Sequence, residues 1–529
     1  MTEADHTPPT LISPHNRALP LLTLTDLRIA ESQAGAALPK HTLMSRAGKS
    51  AASFLREQIT RDTSVEKSRQ KVWLIAGPGN NGGDALILAM ELHQAGIAVE
   101  LCMPVEVKPD DARWALETAR AAGVAIASAP PASLDGYRWL VDGMFGIGLT
   151  RPLEGVFAAV ARQLSQRAKA RPRKGGVLAL DVPSGLDSDT GTVVGNGDGA
   201  AVHATHTVTF IGAKPGLFTA QGRDLAGAVT VAPIGVDTSG RTAVQLNASE
   251  LFGTFLPPRD FATNKGSFGS LAVVGGDTGM CGAPILASRA ALYTGAGKVH
   301  VALLGEGAPP YDPPHPELML HAIDDLPLDQ MDALAIGCGM GHRERATRVM
   351  HDVLQLDVPK LLDADALNLI SKDPALAAEV TARGVQGDPC VLTPHPLEAA
   401  RLLGTDAPGV QRDRLSAARS LAARYAAVVV LKGTGTVIAA PDGRLAINPT
   451  GNAALATGGT GDVLGGIIGA LLAQHLPRYE AALAGVYLHG LAADTLSAQG
   501  HGPAGLTAGE LAPMVRTLLN RLFYPAAEC

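Results

Sequence analysis

Apolar residues recur at a spacing of four through Leu43, Ala47, Ala51, Leu55 and Ile59, which predicts a helix with one buried face. Beyond it the pattern changes to short apolar runs that end in glycine or an acid. These are VWLIAG (72–77), IAVELCM (97–103), RWLVDGMFG (138–146), GVLALDVPSG (176–185) and HTVTFIG (206–212). Helical periodicity fills the intervals at 85–95, stopped by Gly96, near 110–121 and near 155–169. Strand–helix alternation with glycine at the strand ends predicts a parallel sheet covered on both faces. Ligands of such sheets bind beyond the carboxyl ends of the strands, where these glycines lie.

The segment from Val236 to Asp260 breaks the rhythm with polar residues and Pro257-Pro258. The alternation then restarts with GSLAVVGGD, a helix at 283–294, GKVHVALL, DALAIGCGMG, VPKLLDADAL, PCVLTPHP, AAVVVLKGTGTVIAA, and a glycine-rich turn with a helix from Gly458. The expected organisation is a loose, proline-bearing leader at 1–20, a domain at 21–240, a linker at 241–258 and a second domain at 259–529. The fold class is α/β throughout.

Composition narrows the function. Glycine, at 60 of 529 residues, exceeds the usual ~7%, yet shows no every-third-residue period and clusters in the turns named above. A hydrophobic content of 46% can bury large cores. A net charge of -6 gives no basic footprint for nucleic acid. The five cysteines are never spaced as CxxC, so neither a disulfide framework nor a zinc site is expected, and a reducing cytoplasm fits. The first residues lack the basic-then-apolar pattern of a signal peptide, and the apolar run Val463–Ala473 is short of the ~20 residues that span a bilayer. No membrane association is expected.

In the first half, GPGNNGGD follows a strand and opens a helix, as a phosphate-binding turn would, although a tight turn without ligand has the same glycines. Gly77, Gly79 and Gly82 fit GxGxxG, and Glu100 falls near the position of a ribose-binding acid. Asn80, Asn81 and Asp84 add side-chain oxygens that suit a hard cation. Asp142 and Asp181 each end a buried strand, where a carboxylate is costly unless paired, hydrated or coordinated. Either alone could cap a helix; both on one rim with the asparagine turn point to a site.

The segments LMSRAG, GPGNNGGD, VDGMFGIGLTRPLEG, LDVPSGLDSDTG and TVTFIGAKPG, within Leu43–Val236, resemble the NAD(P)H-hydrate epimerase family, which implies a Rossmann-like three-layer domain. The resemblance implies that Asn80, Asn81, Gly82, Gly83, Asp84 and Gly146, Ile147, Gly148, Leu149, Thr150, Arg151, Pro152 line the hydrated nicotinamide nucleotide. It puts Asp181 at the reacting centre and gives a potassium ion to Asn81, Asp142 and Ser184. Ser45 and Ile147 depart from the family's usual acid and threonine. Epimerisation at carbon 6 needs ring-opening, or loss and return of the hydroxyl; both routes stay open, and both use a positioned acid/base such as Asp181.

In the second half, NPTGNAALATGGTGDVLGG (448–466) sets Gly458, Gly459 and Gly461 before an apolar helix, so that backbone amides can face a phosphate. Asp462 at the helix start could merely cap, but capping does not call for Thr-Gly-Gly-Thr-Gly. No GxxxxGK[ST] is present, which excludes a P-loop. This stretch, with NKGSFG, VVGGDTGMCGAPILASRAAL, TGAGKV, GCGMG, LLDADALN, TPHPLEA and LKGTGT, resembles the ribokinase-like ADP-dependent NAD(P)H-hydrate dehydratases over Lys265–Met514. Asn264 stands where the family commonly has histidine.

The resemblance implies that Ala283, Gly339, His395 and Asp462 contact the hydrate, with Asp462 as the catalytic base. Lys432, Gly433, Thr434, Gly435, Thr436 and Gly461 would contact ADP or AMP. The implied chemistry is phosphorylation of the carbon-6 hydroxyl by ADP and elimination of phosphate. Magnesium is left open. The expected partners are hydrated NADH and NADPH, ADP and further copies of the chain. The alternative is a ribokinase-like small-molecule kinase carrying a non-catalytic nucleotide-binding N-terminal module.

Overall fold

The computed structural model describes residues 10–524 apart from 15, 65–69, 171–174, 196–198, 241–243 and 307–309. Two compact units divide the chain, one built around Leu19–Val244 and one from Gln245 onward.

The strands of the first unit's sheet are β1 (Val72–Ala76), β2 (Val99–Cys102), β3 (Ile126–Ala127), β4 (Trp139–Gly143), β5 (Gly176–Leu180), β6 (His206–Phe210) and β7 (Ala228–Ala232). They lie in the order β3-β2-β1-β4-β5-β6-β7, and every neighbouring pair is parallel. The order reverses between β1 and β4, which opens a crevice beyond their carboxyl ends. Helices α1 (Leu24–Ala37), α2 (Thr42–Arg61), α3 (Asn80–Gln94), α4 (Asp110–Ala121) and α5 (Gly155–Lys169) surround this sheet. The two-residue period of β1 explains the layers. Val72, Leu74 and Ala76 face a core shared with α2, α3 and α4, whereas Trp73 and Ile75 face the core under α5.

Three expectations change here. Helix α3 starts at Asn80 rather than 85, so the Asn-Asn-Gly-Gly-Asp segment is its first turn. Helix α1 was not expected, because it buries only Leu27 and Ala30 and has little apolar periodicity. Its signature is the Thr23–Asp26 capping box, in which the Thr23 hydroxyl accepts from the Asp26 amide and the Asp26 carboxylate accepts from the Thr23 amide. Residues 1–9 of the expected leader lie outside the described residues. Ile12 is not loose: it exchanges two 2.8 Å backbone hydrogen bonds with Val231.

The second unit's strands are β8 (Val244–Leu246), β9 (Ser270–Gly275), β10 (Lys298–Leu303), β11 (Met319–Ala322), β12 (Ala333–Ile336), β13 (Lys360–Leu362), β14 (Val391–Leu392), β15 (Val428–Leu431), β16 (Val437–Ala439) and β17 (Leu445–Ile447). They run β8-β17-β16-β15-β14-β13-β12-β9-β10-β11. From β15 to β11 all neighbours are parallel. The run at 426–440 forms the hairpin β15–β16, and β17 continues antiparallel, so the sheet is mixed. Helices α6 (Gly282–Thr294), α7 (Pro396–Leu403), α8 (Arg414–Tyr425), α9 (Thr460–Ala473), α10 (Arg478–Ala498) and α11 (Ala508–Phe523) are those that bear on the site and its core. Helix α9 is apolar on nearly every side because α6, α10, α11 and the sheet all pack on it.

From Gln245 onward the expected linker at 241–258 is part of this unit; 241–243 lie outside the described residues. Asn247 is fully buried and donates to Asn448 Oδ1 (3.0 Å) and Leu483 O (2.9 Å), and Phe252 sits in the core. Apolar residues at 244–256 interrupted by polar ones conceal this, since their partners lie about 200 positions away.

Gly82 shows what a glycine does at the crevice. A Cβ there would lie 1.9 Å from Gly77 O, and one on Gly77 would lie 1.7 Å from Met144 O. The expected close approach to ligand is here a close approach of backbone to backbone. Gly82→Ala is expected to destabilise the first unit by about 1–3 kcal/mol through overpacking. Urea unfolding monitored on that unit, against an unchanged second unit, measures this.

Candidate functional site

The loops after β1, β4, β5 and β6 enclose a cleft of about 660 Å³ in the first unit. Asn80, Asn81 and Asp84 line it from α3, Gly146, Ile147, Gly148 and Leu149 from the loop after β4, and Asp181 from the end of β5. Gly82 and Gly83 stand behind the lining as packing residues; a Cβ on Gly83 would lie 2.7 Å from the Met44 side chain. Thr150, Arg151 and Pro152 are exposed and outside it. Glu100 is not brought to the cleft either: it lies within β2 and accepts a hydrogen bond from Tyr137.

Asp181 is held by Lys214, a residue that sequence reasoning missed. The buried ammonium donates to Asp181 Oδ1 (2.6 Å), Thr209 Oγ1 (2.7 Å) and Phe210 O (2.7 Å). Asp181 has φ +67°, and its cleft neighbours Ile211 and Ile234 have φ +68° and +48°. Left-handed backbone is costly for these residues, above all the β-branched ones, and such strain gathers at functional sites.

Around Asp181 lie carboxyls of different character. Burial, then the Asp181 charge, pushes Asp84 well above the carboxylate range. Glu31 on α1, also missed, is raised by burial first and by Asp181 next. Asp142 is fully buried, and its carboxylate accepts from the Ser184 hydroxyl (2.6 Å), the Ser184 amide (2.8 Å) and the Met144 amide (3.1 Å). Burial raises it to about 6 against the pull of those bonds. Asn81 is buried with neither its side-chain oxygen nor its nitrogen partnered. An orphaned amide oxygen, a buried carboxylate and a hydroxyl are oxygen donors of the kind that suits a hard cation. Among the described residues no group of three or more His, Cys, Asp or Glu could hold a metal.

In the second unit the site residues sit beyond the carboxyl ends of β12, β13, β14 and β15. Lys432 ends β15 and donates to the buried Asp363 (2.7 Å); a Cβ on Gly461 would lie 3.7 Å from the same ammonium. Burial acts to lower Lys432, but Asp363 and Glu398 hold it above its ordinary value. Asp462, in the first turn of α9, is raised chiefly by burial and also by Asp363, while the Cys338 thiol and Lys432 pull it back. Gly459 is left-handed at φ +89°, which turns the chain into α9. Gly339 and Ala283 come together; a Cβ on the former would lie 3.6 Å from that of the latter.

His395 caps α7: its Nδ1 accepts from the amides of Leu397 (3.1 Å) and Glu398 (3.3 Å). The loop histidine is thus fixed by a capping box whose second member, Glu398, was missed. Under the Lys432–Thr436 turn lies a further missed residue, buried Arg414, which donates to Leu431 O (3.1 Å) and Lys432 O (3.2 Å). Asp494 on α10 holds the glycine loop by accepting from the Gly451 amide and the Asn452 side chain, both at 2.8 Å. Single acids and arginines on helices carry no sequence signal for such roles.

Fold and sites together define a two-unit α/β enzyme, with a nucleotide-sized cleft in one unit and a glycine-turn, lysine and aspartate centre of phosphoryl-transfer type in the other. The family model described as "NAD(P)H-hydrate dehydratase" matches residues 271–515, and "YjeF-related protein N-terminus" matches 40–216. The bifunctional NAD(P)H-hydrate repair enzyme Nnr of Escherichia coli K12 is 38% identical over 94% of this chain and 93% of its own. The Neisseria meningitidis ADP-dependent (S)-NAD(P)H-hydrate dehydratase is 48% identical over 49% of this chain and 88% of its own. A crystal structure of a Bacillus subtilis ADP/ATP-dependent NAD(P)H-hydrate dehydratase, crystallised with ATP and magnesium, aligns at TM-score 0.45 and 33% identity, covering 52% of this chain and 97% of that one. The chain belongs to the family of bifunctional NAD(P)H-hydrate repair enzymes. No helix among the described residues is long and apolar enough to cross a membrane.

Two measurements follow from these charges. Lys432→Met leaves Asp363 buried and unpaired, and is expected to cost about 3–5 kcal/mol in denaturant unfolding. Glu398, raised by burial to about 7, favours the protonated fold. Its contribution is present at acid pH and is lost as pH rises from about 4.5 towards 7. The stability difference between Glu398→Gln and the parent should therefore grow across that window.

Proposed function

We propose that this chain repairs hydrated NADH and NADPH in two steps. The first unit interconverts the R and S hydrates, and the second dehydrates the S form with ADP, giving AMP, phosphate and the reduced nucleotide. The observation that carries this reading is the full-length likeness to a bifunctional repair enzyme, 38% identical over 94% of the chain. A lone kinase with an idle first unit would leave the strained, charge-lined cleft around Asp181 unexplained.

In the first unit, the cleft lined by Asn80, Asn81, Asp84, Gly146–Leu149 and Asp181 receives the nicotinamide nucleotide, and Asp181 works at the carbon-6 centre. Asn81, Asp142 and Ser184 hold potassium. Bound there, the ion would fix the loops after β1, β4 and β5 and offset the buried Asp142 charge.

In the second unit, Asp462 takes the proton of the carbon-6 hydroxyl as that oxygen attacks the terminal phosphoryl group of ADP. Its raised affinity for a proton makes it a better base. Lys432 and the amides of Gly433–Thr436 and Gly461 stabilise the charge that develops on the phosphoryl oxygens. Ala283, Gly339 and His395 border the hydrate. Elimination then expels phosphate and regenerates the nicotinamide double bond. Magnesium bound through phosphate oxygens and water would need few protein ligands, which this site allows. A cytoplasmic, homo-oligomeric enzyme is part of the same reading.

The test is to supply mixed R and S hydrates with ADP and follow reduced nicotinamide by absorbance. Conversion of both epimers, with AMP and free phosphate, is expected; a stable phosphorylated product would overturn dehydration, and persistence of the R form would overturn epimerisation. Asp462→Asn should lower dehydration at least ~100-fold while R and S still interconvert. Exchanging potassium for lithium should slow epimerisation and leave dehydration of pure S hydrate unchanged.

A further inference from the structure

The epimerase cleft holds more carboxyls than binding requires, and they differ in charge. Asp181 is paired with buried Lys214 at 2.6 Å. Asp84 faces the same cleft from the first turn of α3, is nine-tenths buried, and has no hydrogen-bond partner among the described residues. Beside it in α3, Asn81 has a buried, unpartnered side-chain amide that also lines the cleft. A buried amide without partners and a carboxyl that lines the same cleft, on one helix turn, point to a polar ligand there.

We infer that Asp84 is the proton donor of the epimerase site and that Asp181, tied to Lys214, is its counterpart across the same cleft. This rests on the epimerase reading of the first unit. Asp84 delivers its proton to the carbon-6 oxygen as the carbon–oxygen bond breaks. The bonding pair leaves with the oxygen, which departs as water, and the ring-nitrogen lone pair forms the carbon–nitrogen double bond. The resulting cation faces the Asp181 carboxylate. Water then adds to carbon 6 on either face, and its surplus proton passes to Asp181 and on to Asp84, which restores the starting state. No oxidant, reductant or second substrate is consumed.

The surroundings support the assignment. Burial disfavours charge on Asp84 first; the negative charges of Asp181, Glu31 and Asp111 add to it, and Lys214, spent on Asp181, is the opposing cation. Environments that drive two nearby carboxyls apart separate acid from base.

Asp84→Asn keeps the size and loses the acid. Epimerisation of R hydrate should fall ~100-fold or more, chiefly in kcat. The parent rate should decline on the alkaline side as Asp84 ionises, and the residual rate of Asp84→Asn should lose that limb. Asp84→Glu should recover part of the rate and the limb. Thermal unfolding of each variant identifies any that fails to fold, in which case the limb in Asp84→Glu decides. An Asp84→Asn rate within threefold of the parent, or an unchanged alkaline limb in it, overturns the role of Asp84 alone. Absence of epimerisation in the parent overturns the underlying reading and this role with it.

Discussion

A carboxylate at the carboxyl end of a buried parallel strand has lost most of its water, and both sites are arranged around that constraint. Each unit meets it with a lysine: the buried Lys214 on Asp181 at 2.6 Å and the part-buried Lys432 on Asp363 at 2.7 Å. Such pairs add little net stability compared with apolar packing, because the desolvation of both charges offsets their attraction. What they do is set the charge of neighbours. Beside each pair stands a further carboxyl, Asp84 or Asp462, whose proton is held more tightly by burial and by the paired acid's own charge. A carboxyl tied to a lysine and a second one with a raised proton affinity are two groups of different character within one site.

The sequence made much of this legible because strand ends are marked. Short apolar runs closed by Asp142, Asp181 or Lys432 located the rims, and the turn before Val463 located the start of α9. Rims within one sheet must converge, so residues read from separate turns meet in one cleft. The family resemblance implied roles that spacing could not, such as hydrate contact at Ala283 and Gly339.

What stayed hidden has a common physical cause. Lys214 is 33 residues from Asp181, and Asp363 is 69 from Lys432; a buried pair between distant turns has no periodicity to reveal it. Glu31 sits on a helix with little apolar face, and Arg414 and Asp494 act on backbone groups that any sequence would offer. Segment 244–258 reads as a linker because its partners come from β17 and α10. Glycine was the most misleading signal. At 77 and 82 it allows backbone to touch backbone, a packing requirement that the composition cannot tell from ligand approach.

That distinction explains why similar constraints lead to different chemistry. In α3 the Gly82 amide is already bonded to Gly79 O (3.1 Å), and the helix start is packed against the turn after β1. The groups that line the cleft at that helix start are the side chains of Asn80, Asn81 and Asp84. At α9 the space around Gly458 is open, and the neighbour of Gly461 is the Lys432 ammonium. The positive end of the helix and a lysine on one spot favour a phosphoryl group. The two helix starts therefore differ in what stands beside them: carboxyl and amide side chains at α3, a lysine ammonium at α9.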